Sequence, residues 1–144
     1  MRISKRGEYG LRAMILLASH TDNNGVMQIK AIAAAERIPV KFLEQILLSL
    51  KNAGLLHSKM GIGGGYSLAK PAKEVMLGKI IRTLDGPLAP ISCVSQIAYE
   101  ACNCPDEVTC KLRAVMSDVR TAMTNILDKT SLADVVDGSA TISI

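Results

Sequence analysis

The chain has 144 residues, of which 49% are hydrophobic and 21% are charged, a composition typical of a folded globular protein and not of a disordered segment. The longest charge-free apolar run near the N-terminus, residues 13–18, is too short for a membrane span or a signal-peptide core, so we expect a cytoplasmic protein. Residues 1–83 hold 13 Lys and Arg against 5 Asp and Glu, whereas residues 84–144 hold 4 against 8. The basic front half is the pattern expected of a polyanion-binding surface, and the scarcity of aromatic residues argues against a base-stacking single-strand binder.

The front half of the chain predicts three helices. Apolar residues at helical spacing indicate a helix over residues 4–19, a short one over residues 28–37, and a third from Pro39 to about Asn52, with Gly54 as its C-terminal glycine. The last two helices are joined by a tight turn and the second has a polar outer face, which predicts a helix-turn-helix. The predicted polar face carries Lys41, Gln45, Ser49 and Lys51, with Glu44 at its edge.

A glycine-rich hairpin follows the third helix. Strand-like residues 55–60 and 66–68 flank the glycine-rich segment 61–65, which predicts a β-hairpin, or wing. Its glycines allow positive φ angles at the tip and a close approach of the backbone to phosphates. They spell neither a P-loop nor a dinucleotide-binding fingerprint.

The rear half predicts a short linker helix over residues 76–84 and a long helix over residues 107–128. The apolar residues of the long helix alternate in steps of three and four, the spacing of a coiled coil, so we expect a dimer, with packing on the chain's own core as the alternative. These are Leu112, Val115, Val119, Ala122 and Ile126. The fold class is therefore mainly α with a small β-wing: a winged helix-turn-helix over residues 1–70, a linker, cysteine loop and dimerisation helix over 71–136, and a tail over 137–144.

All four cysteines of the chain lie within one irregular stretch between those two helices: Cys93, Cys102, Cys104 and Cys110. Clustered thiols in a cytoplasmic protein indicate metal binding or redox chemistry more than disulfides. Thiolates suit iron–sulfur clusters and zinc, but the loop has no C-x-x-C pair of the kind that structural zinc sites use. The spacing favours an iron–sulfur cluster over zinc, with a cluster-free thiol switch as the alternative, since Lys111 and Arg113 lie beside Cys110.

Several segments resemble the Rrf2 family of bacterial transcription regulators, which includes the IscR, NsrR and RirA types. They are residues 42–47 (FLEQIL), 51–55 (KNAGL) and 63–68 (GGGYSL), together with residues 1–4, 85–87 and 130–134. The resemblance covers roughly residues 1–136. It implies a homodimer with one winged helix-turn-helix per subunit and a long crossed dimerisation helix. It also implies an iron–sulfur cluster, two-iron (2Fe–2S) or four-iron (4Fe–4S), whose state governs binding to operator DNA.

The family pattern implies three cysteine ligands, the last two separated by five residues. Cys104 and Cys110 have that separation, which favours Cys93, Cys104 and Cys110 as the set, with Cys93, Cys102 and Cys110 as the alternative. Arg113 stands where IscR-type proteins have a histidine ligand. NsrR-like members use an acid from the first helix of the partner subunit, and Glu8 is at the matching position, so either Glu8 or the fourth cysteine completes the set.

The same reading assigns residues to DNA. Lys41 and Gln45 at the start of the third helix are expected to reach base edges, and Glu44 either accepts from cytosine or pairs with a nearby lysine. Basic and polar residues elsewhere are expected to hold phosphates: Arg2, Lys5, Lys30, Ser58 and Lys59. The basic residue that often precedes the first wing glycine in the family is Met60 here, with Lys59 one position earlier.

The predicted function is a DNA-binding transcription regulator controlled by an iron–sulfur cluster that senses iron or cluster status, oxidants or nitric oxide. The alternative is a cluster-free regulator of the same family that responds to thiol oxidation or to a partner protein. An enzyme with Cys110 as nucleophile is disfavoured, because neither His20 nor His57 lies near the cysteines in sequence and no oxyanion-type loop is evident. We expect no enzymatic activity and no membrane partner.

Overall fold

The computed structural model describes residues 2–139, and in them a mainly helical chain carries one small antiparallel hairpin, as the sequence predicts. The helices are α1 (Lys5–Ser19), α2 (Ile29–Glu36), α3 (Val40–Asn52), α4 (Leu77–Asp85), α5 (Lys111–Leu127) and α6 (Leu132–Asp137). The strands are β1 (Leu56–Lys59) and β2 (Gly65–Leu68), and short 3-10 turns lie at Asp22–Gly25, Ala72–Glu74 and Ser92–Val94.

The helix-turn-helix forms as its sequence pattern predicts. Arg37 closes α2 in the left-handed conformation (φ 55°), and Pro39 is the N-cap of α3 rather than its first helical residue. The apolar face of α3 is fully buried against α1, α2 and α4, and it forms the centre of the core. That face consists of Leu43, Ile46, Leu47 and Leu50.

The wing is anchored to the helical domain through a third short strand segment. Strands β1 and β2 pair from Leu56 with Leu68 to Lys59 with Gly65. Met27, just before α2, exchanges two backbone hydrogen bonds with Tyr66, of 2.9 and 2.8 Å. A side chain at Gly65 would lie 2.1 Å from the Met27 carbonyl oxygen, so only glycine allows this close pairing.

The linker helix α4 packs closely against α1, and α6 covers the other side of α1. Backbone contacts tie α6 to the segment before α4, with Leu77 N–H donating to Thr130 O and Leu132 N–H donating to Val75 O, each at 2.9 Å. The sequence pattern predicts that residues 131–136 end the ordered part of the chain, without a helix. They form a helix with a capping box between Ser131 and Asp134.

The long helix α5 begins at Lys111, four residues later than predicted, because Cys110 is its N-cap. None of its residues is buried in the subunit, and it contacts mainly α4 and the turn Ser92–Val94. Its C-terminal end is fixed by a bidentate ion pair: Arg82 of α4 donates to both carboxylate oxygens of Asp128, at 2.6 and 2.8 Å.

The predicted tail, 137–144, lies mostly outside the described residues; of it, Asp137 ends α6, and Gly138 and Ser139 follow. Within residues 2–139, every helix is too short or too polar to cross a membrane.

The Arg82–Asp128 pair should give a pH-dependent contribution to stability. Its hydrogen bonds lower the pKa of Asp128 below the ordinary 3.8, so the contribution is present above about pH 4 and is lost as the pH falls through the lowered pKa. We expect Asp128→Asn to reduce the free energy of unfolding by about 1 kcal/mol at neutral pH. The deficit should shrink as the pH falls through the lowered pKa of Asp128, measured by denaturant titration at neutral pH and in acid.

Asp118→Asn is the matched control, because Asp118 is an exposed residue of the same helix with no ion pair in the described structure. It should leave stability nearly unchanged at both pH values. An Asp128→Asn deficit that stays undiminished in acid would show that the carboxylate charge is not its source.

Candidate functional site

The outward face of α3 presents a short row of side chains to solvent. Lys41, Glu44 and Gln45 are exposed, as the sequence reading expects, and they share this face with Leu48, which is 51% exposed. Positions 41, 44, 45 and 48 follow the i, i+3, i+4, i+7 spacing of one helix face. On a helix that enters the DNA major groove, an exposed aliphatic side chain suits contact with a thymine methyl group.

Leu48 is the residue of this face that the sequence reading missed, and Ser49 is the one it placed there in error. Ser49 is half-buried, and its hydroxyl accepts a hydrogen bond of 2.5 Å from the Arg6 guanidinium. Helical spacing from Lys41 and Gln45 predicts that position 48 lies on the same exposed face. The sequence pattern nevertheless favours a core position for Leu48, because it is a leucine next to Leu47. Glu44 makes no ion pair among residues 2–139. The alternative in which Glu44 pairs with a nearby lysine is therefore not observed in the described structure.

Two of the predicted phosphate-binding lysines line the same groove between α2 and the wing. Lys30 in the first turn of α2 and Lys59 at the end of β1 line one groove of about 330 Å³, together with Gln28 and Tyr66. Both lysines are exposed, as is Ser58 beside them. Two cations on the walls of one groove can hold a phosphate backbone between the helix and the wing.

The other predicted phosphate contacts lie at the N-terminal end of α1. Arg2 is exposed and lines a groove with Asp85 and Met123, next to α5 rather than next to the wing. Lys5 is exposed and forms an ion pair of 3.3 Å with Glu8. Glu8 is also 3.6 Å from Arg12, so its carboxylate is neutralised within its own subunit.

The start of the cysteine loop is held by two arginines of α5. Arg120 donates to Val94 O at 2.8 Å, and Arg113 donates to Cys93 O at 3.4 Å. The turn that carries Cys93 is buried, with Cys93 itself 6% exposed. Arg113, which replaces the histidine of IscR-type proteins, therefore holds the loop backbone by hydrogen bonding.

A second polar network closes the exposed part of the loop. The Tyr99 hydroxyl donates to the Glu107 carboxylate, with both oxygens at 2.6 Å, and Glu107 also pairs with Arg113 at 3.3 Å. The hydrogen bond to Glu107 raises the pKa of Tyr99 above its ordinary value. Glu107 thus connects the middle of the loop to the same arginine that holds Cys93.

Three of the four thiols lie together at the N-terminus of α5. Interaction with the neighbouring thiols, chiefly that of Cys102 and to a smaller extent that of Cys110, raises the pKa of Cys104 to about 11. Cys110 also caps α5, its sulfur accepting from Arg113 N–H at 3.4 Å. Cys104 is consequently a protonated thiol at neutral pH.

The side chains of the loop contact one another rather than surround a common centre. Within the described part of the chain, no three His, Cys, Asp or Glu side chains form a group that is ready to hold a metal ion. The trio of Cys102, Cys104 and Cys110 includes two members of each predicted ligand set, whereas Cys93 reaches the network through its carbonyl. The thiolates that these residues can supply are the soft donors that iron–sulfur clusters use.

Comparisons with known proteins give one consistent family. A family model described as an Rrf2 iron-dependent transcriptional regulator matches residues 3–138. A Rhodobacter capsulatus protein described as an rrf2-like HTH-type regulator is 36% identical over 137 residues, 93% of this chain and 91% of that one.

Two solved structures share both the fold and about 30% of the amino-acid sequence with this chain. The Bacillus subtilis global cysteine regulator CymR superposes with a TM-score of 0.79 at 33% identity, covering 95% of this chain and 97% of that chain. IscR of T. potens superposes with a TM-score of 0.75 at 29% identity, covering 100% of this chain and 93% of that one. These likenesses extend over the winged domain and the α5 region alike.

If Lys30 and Lys59 each neutralise one phosphate, their removal should change the salt dependence of duplex binding. For Lys30→Ala and for Lys59→Ala, we expect the slope of log K against log salt concentration to fall in magnitude by about 1, with weaker binding on all sequences. Fluorescence anisotropy on a labelled random-sequence duplex over a range of salt concentrations measures this slope. Lys129→Ala, an exposed lysine in the acidic half, is the control and should leave the slope unchanged; unaltered slopes in the first two variants would remove the groove from the DNA interface.

Proposed function

Because the chain belongs to the Rrf2 family of iron-dependent transcriptional regulators, we propose that it binds operator DNA as a homodimer under the control of an iron–sulfur cluster. The observation that carries the cluster proposal is the gathering of thiols on one loop at the start of α5. On this proposal, Lys41, Glu44, Gln45 and Leu48 read base edges, while Lys30, Ser58 and Lys59 hold phosphates.

The homodimer proposal is supported by the surface of α5. Leu112, Val115 and Ile126 are 57%, 56% and 47% exposed in the subunit, and all three lie on the apolar stripe with coiled-coil spacing. A stripe of this width on a helix with no buried residue is stabilised when a second copy covers it. The groove that Arg2 lines beside Met123 of α5 places the N-terminal end of α1 near that stripe.

The proposed ligands are Cys93, Cys104 and Cys110, the set that the family spacing favours. The contact of the Cys104 and Cys110 thiols supports these two as neighbouring ligands. The fourth donor is Cys102, whose thiol already contacts Cys104, or Glu8 from the partner subunit, which would first have to leave Lys5 and Arg12. A cluster held there supplies chemistry that responds to oxidants, nitric oxide or iron supply.

The chain offers a continuous mechanical link from this loop to the recognition helix. Arg113 and Arg120 bind the loop to α5, and Arg82 with Asp128 binds the end of α5 to α4. Helix α4 in turn packs against α1 and α3. Cluster binding at the loop would therefore bias the relative positions of the two winged domains in a dimer. The affinity for DNA changes only if the cluster-bound and cluster-free arrangements bind DNA differently.

The decisive experiment is anaerobic purification followed by iron and sulfide assays, an absorption spectrum, and DNA binding before and after cluster removal. We expect a coloured protein whose DNA affinity changes by roughly 5- to 150-fold on cluster loss. Ala substitutions of Cys93, Cys104 and Cys110 should abolish the cluster, whereas Asn103→Ala, at an exposed position between two thiols, should keep it. Comparing Cys102→Ala with Glu8→Gln then identifies the fourth donor.

A colourless, iron-free anaerobic preparation would rule out the cluster. Equal DNA binding by the cluster-bound and cluster-free protein would rule out its control of the operator while leaving the cluster itself in place.

A second candidate function is regulation by oxidation of the thiols without a cluster, and the same contact between Cys104 and Cys110 favours it. In this case two thiols lose their hydrogens and form one S–S bond, while one molecule of hydrogen peroxide is reduced to two molecules of water. The relative described as a global cysteine regulator fits a role in thiol metabolism.

Metal-free protein treated with hydrogen peroxide tests the second candidate. We expect a disulfide between Cys104 and Cys110, located by peptide mass spectrometry, and a change in DNA affinity that a thiol reductant reverses. Cys104→Ser and Cys110→Ser should each abolish the response. Cys93→Ser serves as the control, because Cys93 is buried and outside the trio. A peroxide response that persists in both of the first two variants would exclude this mechanism.

A further inference from the structure

The tip of the wing, residues 60–64, exposes two large apolar side chains. Met60 is 92% exposed and Ile62 is fully exposed, more than any other large hydrophobic residue among residues 2–139. Both stand on the same short turn, separated by Gly61 alone. Neither contributes to the core, so the fold does not account for their apolar character.

The turn that carries them is held in place from two sides. Gly64 N–H donates to Gly61 O at 3.0 Å across the turn, and the Asn23 side chain donates to Gly63 O at 3.2 Å from the loop before α2. A side chain at Gly64 would lie 2.2 Å from Lys59 O, so the two arms of the turn lie as close as a backbone allows. A narrow apolar projection on an anchored turn can enter a groove with little further ordering.

The surroundings of the tip are cationic. Lys59 immediately precedes Met60, and Lys30 lies across the same groove, which Gly61 and Gly64 also line. An apolar tip beside lysines matches a surface with phosphates at its edges and stacked bases between them. Both grooves of a DNA duplex have this arrangement. A recognition helix such as α3 occupies the major groove, which leaves the adjacent minor groove to the wing tip.

We propose that Met60 and Ile62 form an apolar wedge that enters the minor groove beside the recognition site and partly unstacks one base step. Proteins that insert Met, Ile or Leu in this way kink the duplex. The cost is least at pyrimidine–purine steps, so the wedge would select sequence where no base edge is hydrogen-bonded. This inference rests on the DNA-binding part of the proposed function and is independent of the cluster.

The wing is continuous with the DNA-binding face, which is why DNA is the occupant and not a protein or a lipid surface. Strand β1 follows α3 after only three residues, so a duplex that contacts α3 lies beside the hairpin. The lysines that flank the tip also belong to the predicted phosphate contacts. An apolar partner surface would leave both of these cations without a counter-charge.

The test compares the wild type with the double variant Met60→Gln, Ile62→Thr, which removes apolar character and makes only the second side chain smaller, by one heavy atom. A high-affinity duplex is first selected from a random-sequence library with the wild-type protein. Its bend is then measured by energy transfer between dyes on the two duplex ends. Met60→Leu, Ile62→Leu is the matched control because it keeps the apolar wedge.

We expect the wild type and the Leu variant to bend the selected duplex by roughly 20–90°, and the Gln/Thr variant to bend it clearly less and bind roughly tenfold more weakly. A second selection with the Gln/Thr variant should lose the pyrimidine–purine step at the flanking position and retain the bases that α3 contacts.

An unbent wild-type complex, or equal bending and equal step preference in all three proteins, would overturn the wedge while leaving DNA binding intact. If the wild type retained no duplex from the library, the DNA-binding function would fail and the wedge with it. Weaker binding by the Gln/Thr variant with an unchanged bend would reduce Met60 and Ile62 to surface contacts and also overturn the proposal.

Discussion

The close approach of α1 to α4 is the contact on which the rest of the structure depends. At Gly10 an added side chain would lie 2.0 Å from a Leu84 methyl carbon, and at Gly7 it would lie 2.6 Å from an Asp85 carboxylate oxygen. The Leu84 and Asp85 side chains of α4 therefore pack directly on the α1 backbone at these glycines. Asp85 also accepts from Ser4 N–H at 3.0 Å, which fixes the start of α1 against the end of α4. The cysteine loop begins directly after α4, so the loop and the winged domain are both attached to the packed pair of helices α1 and α4.

Because α5 buries none of its residues, its position is set by polar anchors near its start, at its middle and at its C-terminal end. Arg82 and Asp128 secure the C-terminal end, while Arg113 and Arg120 bind the turn around Cys93. Charged anchors of this kind tolerate small shifts better than an interdigitated apolar core, which has few alternative packings. A helix held in this way is a suitable element to transmit a change at the thiols, because repositioning it does not require the core to be repacked.

The sequence predicted those parts of the fold that local patterns determine. The buried face of α3, the glycine turn of the wing and the cap at Gly54 each depend on residues close together in the chain, and each forms as expected. The short helix α6 was not predicted, because its six residues are too few to show a clear helical period of apolar side chains. Its Ser131–Asp134 capping box is nevertheless a local signal of a helix start. The hydrogen bonds of Arg113 and Arg120 to the turn around Cys93 could not be predicted, since they join residues 20 and 26 positions apart.

The front half of the chain is basic and the rear half is acidic, and the arginines that anchor α5 bear on this difference. Residues 84–144 hold four basic side chains, and two of them, Arg113 and Arg120, donate to the backbone of the cysteine loop. These two guanidinium groups keep their charge but are occupied in holding the cysteine loop to α5, and with eight acidic residues the rear half carries a net negative charge. The front half keeps Lys30, Lys41 and Lys59 free of ion pairs within the described residues. A duplex is thus attracted to the α3 and wing side and repelled from the α5 side, which orients the protein on DNA before any base is read.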